Sequence, residues 1–447
     1  LCYTSGTTGL PKGTIIKHKT LILWIKEMIE ADPVYATDNS LSFSLPGWIV
    51  EQMFGFGYML YCGEIMNFPE EQETVQADLR EIGPSTLLYP SRLWEALNSE
   101  IQMRITDSSA MKKLIYNLFM PVGYRVADFQ YEQKTPNIFW KALHGVAHLL
   151  LFRPLLCKHG LIKIRIAYTA GAILGADIFR FFRALGLNIK QMYGSTECGI
   201  MTIHRNDDIQ FASVGTALAY TSITIAEDGE ILIKADKALD GYYKSPDDYE
   251  KRTMGGWFHT GDAGHIREDG HLIYIDRVAD LKTLANGVKF SPQYIESRIK
   301  FSPYIIDAMV LGEKEGDFVG AIVNLDFRNV GKWAEDKNIP YTTFTDLSQK
   351  PQIRELIGRE ITRLNRQLPQ ESRIRKFINL HKEFDPDEAD LTRTRKIRRD
   401  FMEQRYGTLI GAIYSDKEEL VEETSVTYQD GRKGTVKTNI KVNVVGD

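Results

Sequence analysis

Tyr3-Thr4-Ser5-Gly6-Thr7-Thr8-Gly9-Leu10-Pro11-Lys12-Gly13 is the stretch from which the rest of the chain is read. Hydroxyl side chains and glycines crowd around one lysine, which is chemistry suited to phosphate. Glycines let backbone N–H groups turn inward as an anion nest, hydroxyls add donors, and Lys12 adds a point charge. The run is not a Walker A loop, because Gly13 follows Lys12 where that motif needs Ser or Thr. Composition alone would also fit a flexible Ser/Gly linker. The apolar lead-in Leu1-Cys2-Tyr3 and the close Pro11-Lys12-Gly13 favour a built loop.

The chain has 447 residues, enough for two or more domains with substantial cores. Its net charge of −4 and pI near 6.2 carry no electrostatic footprint for nucleic acid. Cys2, Cys62, Cys157 and Cys198 are scattered without a CxxC pair, which suits a reducing cytoplasm and argues against structural zinc. No apolar run is long enough to span a bilayer. The nearest is Val146 to Cys157, broken by Arg153 and Pro154. It reads as a core or interdomain helix. The alternative is an interfacial segment assisted by His144, Arg153, Lys158 and His159, and hence peripheral membrane association.

Residues 1 to about 275 alternate strand-like runs (Thr86–Tyr89, Ile166–Thr169) with amphipathic helical stretches such as Asp177–Phe182, which predicts an α/β architecture. From about 222 short strands with turn signals predict a β-rich subdomain. A second unit begins after Arg277, with strands near 307–312 and 318–325. Ile353, Leu356, Ile357, Ile361 and Leu364 then fall on one face of a helix over 351–367. Asp430-Gly431 lies between two β-prone runs, as at the tip of a terminal hairpin.

Three further runs carry chemistry. Gln191-Met192-Tyr193-Gly194-Ser195-Thr196-Glu197 follows a predicted strand over 186–190, so it is expected at a strand's carboxyl end, where α/β sites form. A tyrosine can stack on a purine, a threonine can bond a phosphate oxygen, and a glutamate can hold Mg²⁺. In Trp257-Phe258-His259-Thr260-Gly261-Asp262 a carboxylate after a glycine turn can accept both hydroxyls of a ribose, though Thr-Gly-Asp alone is an ordinary turn. Leu391-Thr392-Arg393-Thr394-Arg395-Lys396-Ile397-Arg398-Arg399 reads on charge alone as a basic surface strip.

In this order the runs resemble the motifs of the adenylate-forming superfamily, which includes acyl-CoA synthetases, luciferases and peptide-synthetase adenylation domains. The resemblance implies ATP, Mg²⁺ and CoA. It assigns Thr4, Ser5, Gly6, Thr7, Thr8, Gly9 and Lys12 to the ATP phosphates, and Gly171, Tyr193 and Gly194 to the adenine side. It gives Thr196 the α-phosphate, Glu197 the metal, and Asp262 and Arg277 the ribose. Gly287, in Leu284–Glu296, would pass close to the pantetheine, and Lys396 would be the catalytic lysine.

The implied fold is an α/β, multi-subdomain adenylation domain over 1–278 and a small, mobile α+β C-terminal domain over 279–447. In that superfamily the phosphate loop lies well inside the N-terminal domain, so the chain is expected to lack an N-terminal portion and full activity. Arg92–Glu95 and the long insertion to about residue 160 resemble the long-chain branch. The implied activity is conversion of a long-chain fatty acid to acyl-adenylate and then to acyl-CoA, in the cytoplasm, with no obligate protein partner. Ala279, Arg393 and Trp48 depart from the family pattern: Ala279 at the hinge pivot, Arg393 at a usual proline, Trp48 beside the acyl pocket. Another adenylate-former, acting on a carrier protein or an aryl acid, or a non-catalytic nucleotide- or lipid-binding relative, stays open.

Overall fold

Three apolar runs form the parallel centre of the first unit. The computed structural model describes residues 1–4, 12–234, 240–312, 316–384, 390–391, 397–427 and 433–446. They divide into two units, Leu1–Val278 and Ala279–Asp447.

In the first unit β1 (Cys2–Thr4) and β2 (Lys12–Thr14) pair antiparallel with Thr4 opposite Lys12, so the two strands bracket the phosphate-type loop. A short parallel pair follows, β3 (Asn39–Leu41) with β4 (Ile65–Asn67). Then β5 (Thr86–Pro90), β6 (Ile166–Ala170) and β7 (Ile189–Ser195) lie parallel, extended antiparallel by β8 (Gly199–Ile203) and β9 (Thr216–Ala217). Every residue of β6 is buried, as expected of a strand covered on both faces. The helix Ala176–Ala184 contributes buried Ile178, Phe179, Phe181 and Phe182. The helix His18–Ala31 buries Trp24, Ile25 and Met28 in one core with Met192, Ile200 and Ile203.

The strand expected over 186–190 begins later. Gly186, at φ +92°, and Leu187 instead close the preceding helix, their N–H groups donating to the carbonyls of Arg183 and Phe182 at 2.9 and 3.1 Å. That left-handed cap uses residues whose apolar character alone suggests a strand. At its start β7 is tethered by a buried ion pair, with Lys190 Nζ 2.6 Å from both carboxylate oxygens of Asp32.

The β-rich subdomain is an antiparallel sheet of β10 (Ile223–Ile225), β11 (Glu230–Lys234), β12 (Thr253–Met254), β13 (Trp257–Ile266) and β14 (Leu272–Arg277). Its order is β10-β11-β13-β12, with β14 on β13. The insertion between β5 and β6 is helical: Ser91–Thr106, Ala110–Tyr131, Ile138–Ala147, a π turn at His148–Phe152, and Arg153–Lys158. The Val146–Cys157 segment is therefore helical as expected, but only one side of it is core. Ala147, Leu151, Phe152 and Leu156 are buried, while Val146, Leu149 and Leu150 face solvent. Trp48 is 38% exposed.

The second unit has a sheet in the order Ile305–Leu311, Val319–Leu325, Ile374–Asn379, Asn443–Val444. The helix Pro351–Asn365 buries the five apolar residues whose spacing predicted it. Glu419–Thr427 and Lys433–Lys441 pair antiparallel as the terminal hairpin. The tip residues Asp430 and Gly431 lie outside the described residues.

Candidate functional site

The parallel strand β7 runs directly into the turn Thr196–Cys198 and returns as β8, so Tyr193 and Glu197 stand on one hairpin. Two glycines permit that hairpin. Gly199 has φ +66°, and a Cβ there would lie 2.4 Å from the Trp24 ring. A Cβ on Gly194 would lie 2.4 Å from the Gly199 carbonyl oxygen. Tyr193 and Gly194 are thus within the strand, and Thr196 and Glu197 are on the turn beyond it.

The Thr-Gly-Asp run is also inside a strand rather than a turn. Gly261 keeps φ +74° within β13, and Glu230 on β11 secures the bend: its carboxylate accepts from Gly261 N at 2.7 Å and contacts His259 Nδ1 at 2.7 Å. Asp262 then faces Arg277 across the β13–β14 ladder. Its Oδ1 lies 3.0 Å from Arg277 Nε, and its Oδ2 accepts from the Tyr193 hydroxyl at 2.7 Å. Arg277 Nη1 also donates to the Thr260 carbonyl at 3.2 Å. Burial, and after it the Asp262 carboxylate, push the Tyr193 phenol well above its ordinary pKa, so it acts here as a fixed donor. The Tyr193 ring is nearly buried and packs tilted against Tyr274, centroids 5.7 Å apart.

A second array joins the loop strand to the metal-type glutamate. Tyr242 Oη donates to Glu197 Oε1 at 2.9 Å. Lys12 Nζ lies 5.6 Å above the Tyr242 ring and 2.9 Å from Asp248 Oδ2. The backbone fixes this register, with Ile15 N donating to Gly241 O at 2.9 Å and Tyr243 N to Gly13 O at 2.7 Å. Burial first, then the Glu197 charge, raise the Tyr242 phenol pKa. Burial, with a smaller push from Glu197, also raises the Cys2 thiol.

The structure thus joins Tyr193, Asp262 and Arg277 through a hydrogen bond and an ion pair, and Lys12, Tyr242 and Glu197 through a cation–π contact and a hydrogen bond. Thr4 ends β1, its Oγ1 3.5 Å from the Lys12 carbonyl. Gly171 follows β6 at φ +87° with open space where a Cβ would point. Gly287, at φ +85°, turns between Lys282–Thr283 and Lys289–Phe290 in the second unit. Ser5, Gly6, Thr7, Thr8, Gly9 and Lys396 lie outside the described residues, as does Arg393. Leu391 and Ile397, which flank Lys396, form a bridge.

Tyr242, Asp248 and Glu230 were not singled out from the sequence as site residues. Among the described residues no three His, Cys, Asp or Glu side chains converge as a metal cage. A lone, partly exposed Glu197 suits an Mg²⁺ ion that arrives on phosphates, since that ion is commonly held by one or two carboxylates plus the substrate's oxygens.

The AMP-binding enzyme family matches residues 1–243, and the AMP-binding enzyme C-terminal domain matches residues 279–418. The chain is 26% identical over 421 residues to the long-chain-fatty-acid–CoA ligase FadD15 of Mycobacterium tuberculosis, covering 93% of this chain and 69% of that protein. It is 25% identical over 443 residues to long chain acyl-CoA synthetase 1 of Arabidopsis thaliana, covering 93% and 65%. The adenylation domain of a carboxylate reductase from Mycobacterium chelonae superposes with a TM-score of 0.71 at 19% identity, covering 93% of this chain and 60% of that one. The chain therefore belongs to the AMP-binding enzyme family, and its fold is that of the adenylate-forming enzymes.

Proposed function

We propose that this protein activates a long-chain fatty acid with ATP and passes the acyl group to CoA. The observation that carries the reading is the pair of arrays around Tyr193–Asp262–Arg277 and Lys12–Tyr242–Glu197 at the carboxyl end of β7. They join an anion-type loop, a ribose-type carboxylate and a metal-type carboxylate within one unit. The names of the relatives matched over most of the chain support a fatty acid as the substrate.

In the first step a carboxylate oxygen of the acid attacks the α-phosphorus and pyrophosphate leaves. The loop residues Thr4 to Lys12 receive the departing phosphates. Thr196 would stabilise the charge that gathers at the α-phosphate, and Lys396 has that role by the resemblance of its run to the superfamily's motif. Glu197 would hold Mg²⁺, which supplies Lewis-acid stabilisation of phosphate charge when bound. Asp262, oriented by Tyr193 and Arg277, accepts the ribose hydroxyls; each of its oxygens keeps a second lone pair for that purpose. In the second step the CoA sulfur attacks the acyl carbonyl and AMP leaves, with Gly287 beside the pantetheine. The two steps would alternate by rotation about residues 277–280.

Pyrophosphate release measured with octanoate through stearate, with and without CoA, tests this. Long-chain acids are expected to turn over with CoA-dependent AMP formation. Release driven only by aryl acids would overturn the substrate, and adenylation without CoA-dependent turnover would overturn the acceptor. The structural likeness to a carboxylate reductase adenylation domain favours the second reading in that event, an adenylate-former with another acceptor.

A further inference from the structure

The helical insertion carries a surface that neither array uses. From Ile138 to Lys158 the helix Ile138–Ala147, the π turn and the helix Arg153–Lys158 follow one another without a break. Ile138, Phe139, Val146, Leu149 and Leu150 recur at helical spacing along them and stand in solvent, Ile138 at 86%, Leu149 at 61% and Leu150 at 49% exposure. The π turn divides Leu149-Leu150-Leu151-Phe152 into two residues facing out and two facing the core. On the adjacent helix Ala110–Tyr131, Met111, Leu114 and Leu118 are exposed as well.

Charge says what covers this face. Between Asn137 and Arg165 the sequence has no Asp or Glu, while Lys141, Arg153, Lys158 and Lys163 are all exposed. Lys112 and Lys113 stand exposed beside Met111. The nearest carboxylates along the chain, Asp128 and Glu132, sit in ion pairs with Arg180 and with Arg125 and Lys134. A cationic apolar face on a protein of net charge −4 is a local feature, not a reflection of composition. A two-fold contact between copies would bring the same cations together without carboxylates to meet them. No described helix is long and apolar enough to cross a membrane. Exposed apolar residues flanked by lysine and arginine fit the boundary of an anionic bilayer, where apolar burial and attraction to anionic headgroups add.

We propose that the face running from Ile138 to Lys158 docks the protein on anionic lipid membranes, with Leu149 and Leu150 inserted and Arg153 and Lys158 at the headgroups. The surface shares no residue with either array, so the inference holds whichever acid is activated.

Flotation with phosphatidylcholine vesicles, with and without phosphatidylglycerol, tests the docking. The protein is expected to float with the phosphatidylglycerol vesicles, several-fold less with phosphatidylcholine alone and several-fold less in high salt. Leu149→Asp combined with Leu150→Asp should reduce flotation at least tenfold while the circular dichroism melt stays unchanged, since both side chains are exposed. Cys157, exposed on the same stretch, takes an environment-sensitive fluorophore in a Cys62→Ser background, because Cys2 and Cys198 are buried. Its emission should move to the blue on anionic vesicles. Absence of flotation, an unaffected double variant or an unshifted probe would each overturn the proposal. So would a concentration-dependent dimer that the same substitutions dissolve, with no vesicle binding, which would make the face a contact between copies.

Discussion

The Tyr193 hydroxyl donates to Asp262 Oδ2 across 2.7 Å, joining the parallel sheet to the antiparallel subdomain at the point where Arg277 holds the other carboxylate oxygen. The bond fixes which way the Asp262 oxygens face before any ribose arrives. Tyr193→Phe should lower stability by about 1–2 kcal/mol, the usual cost of a buried hydrogen bond to a charged group that loses one partner. Asp262→Ala removes the acceptor itself and should weaken AMP binding by at least about tenfold. Melting curves and calorimetric titration with AMP separate the two effects. Equal AMP affinity in wild type and Asp262→Ala would remove Asp262 from the nucleotide site.

Lys12 separates stability from binding in the opposite sense. Its ion pair with Asp248 is partly exposed on both sides, so Lys12→Ala should change stability by no more than about 1 kcal/mol. If the lysine serves the phosphates, the KM for ATP should rise while the melting temperature barely moves. A large loss of stability with an unchanged KM would make Lys12 a structural strut.

Much of this was legible because the motifs are local, and the misplacements have separate physical causes. Apolar Leu187 next to Gly186 suggests a strand, yet the left-handed glycine turns both into the cap of a helix. Thr260-Gly261-Asp262 has the composition of a turn, yet Glu230 on the neighbouring strand holds its bend within β13. Tyr242 and Asp248 act through partners far off in sequence, Glu197 and Lys12, and no spacing rule connects them. The exposed half of the Val146–Cys157 helix was hidden for a different reason: hydropathy records that a residue is apolar, not which side of a helix meets the core.

Gly199 and Gly171 both have positive φ, but only one is crowded. A Cβ at Gly199 meets the Trp24 ring at 2.4 Å, and a Cβ at Gly171 meets nothing within 4 Å. Gly199→Ala should cost about 2–4 kcal/mol from backbone strain plus overpacking. Gly171→Ala should cost about 1 kcal/mol from strain alone. Any larger loss of adenylation in Gly171→Ala then reports on the ligand that approaches this backbone. Denaturant melts of both variants decide the matter, and equal costs would show that crowding at Trp24 relaxes freely.

Burial lifts the Glu64 carboxyl from the ordinary 4.5 to about 7, against the hydroxyl of Thr86, which donates to it. The folded state therefore keeps this proton where the unfolded chain has lost it. Its contribution to stability is full below pH 4.5, declines as the pH rises toward 7, and is gone above. Buried His204 works the other way: desolvation holds it near 3, so its contribution is lost as the pH falls below 6.5. A pH scan of the wild type alone mixes the two. Glu64→Gln isolates the carboxyl because the histidine is common to both proteins. The two proteins should have similar stability at acid pH, and the variant should gain on the wild type through neutrality by at most about 3 kcal/mol, the equivalent of the shift. Chemical denaturation at a series of pH values reads this difference directly. A difference that does not change with pH would mean that the Glu64 carboxyl titrates in the folded protein as it does in the unfolded chain.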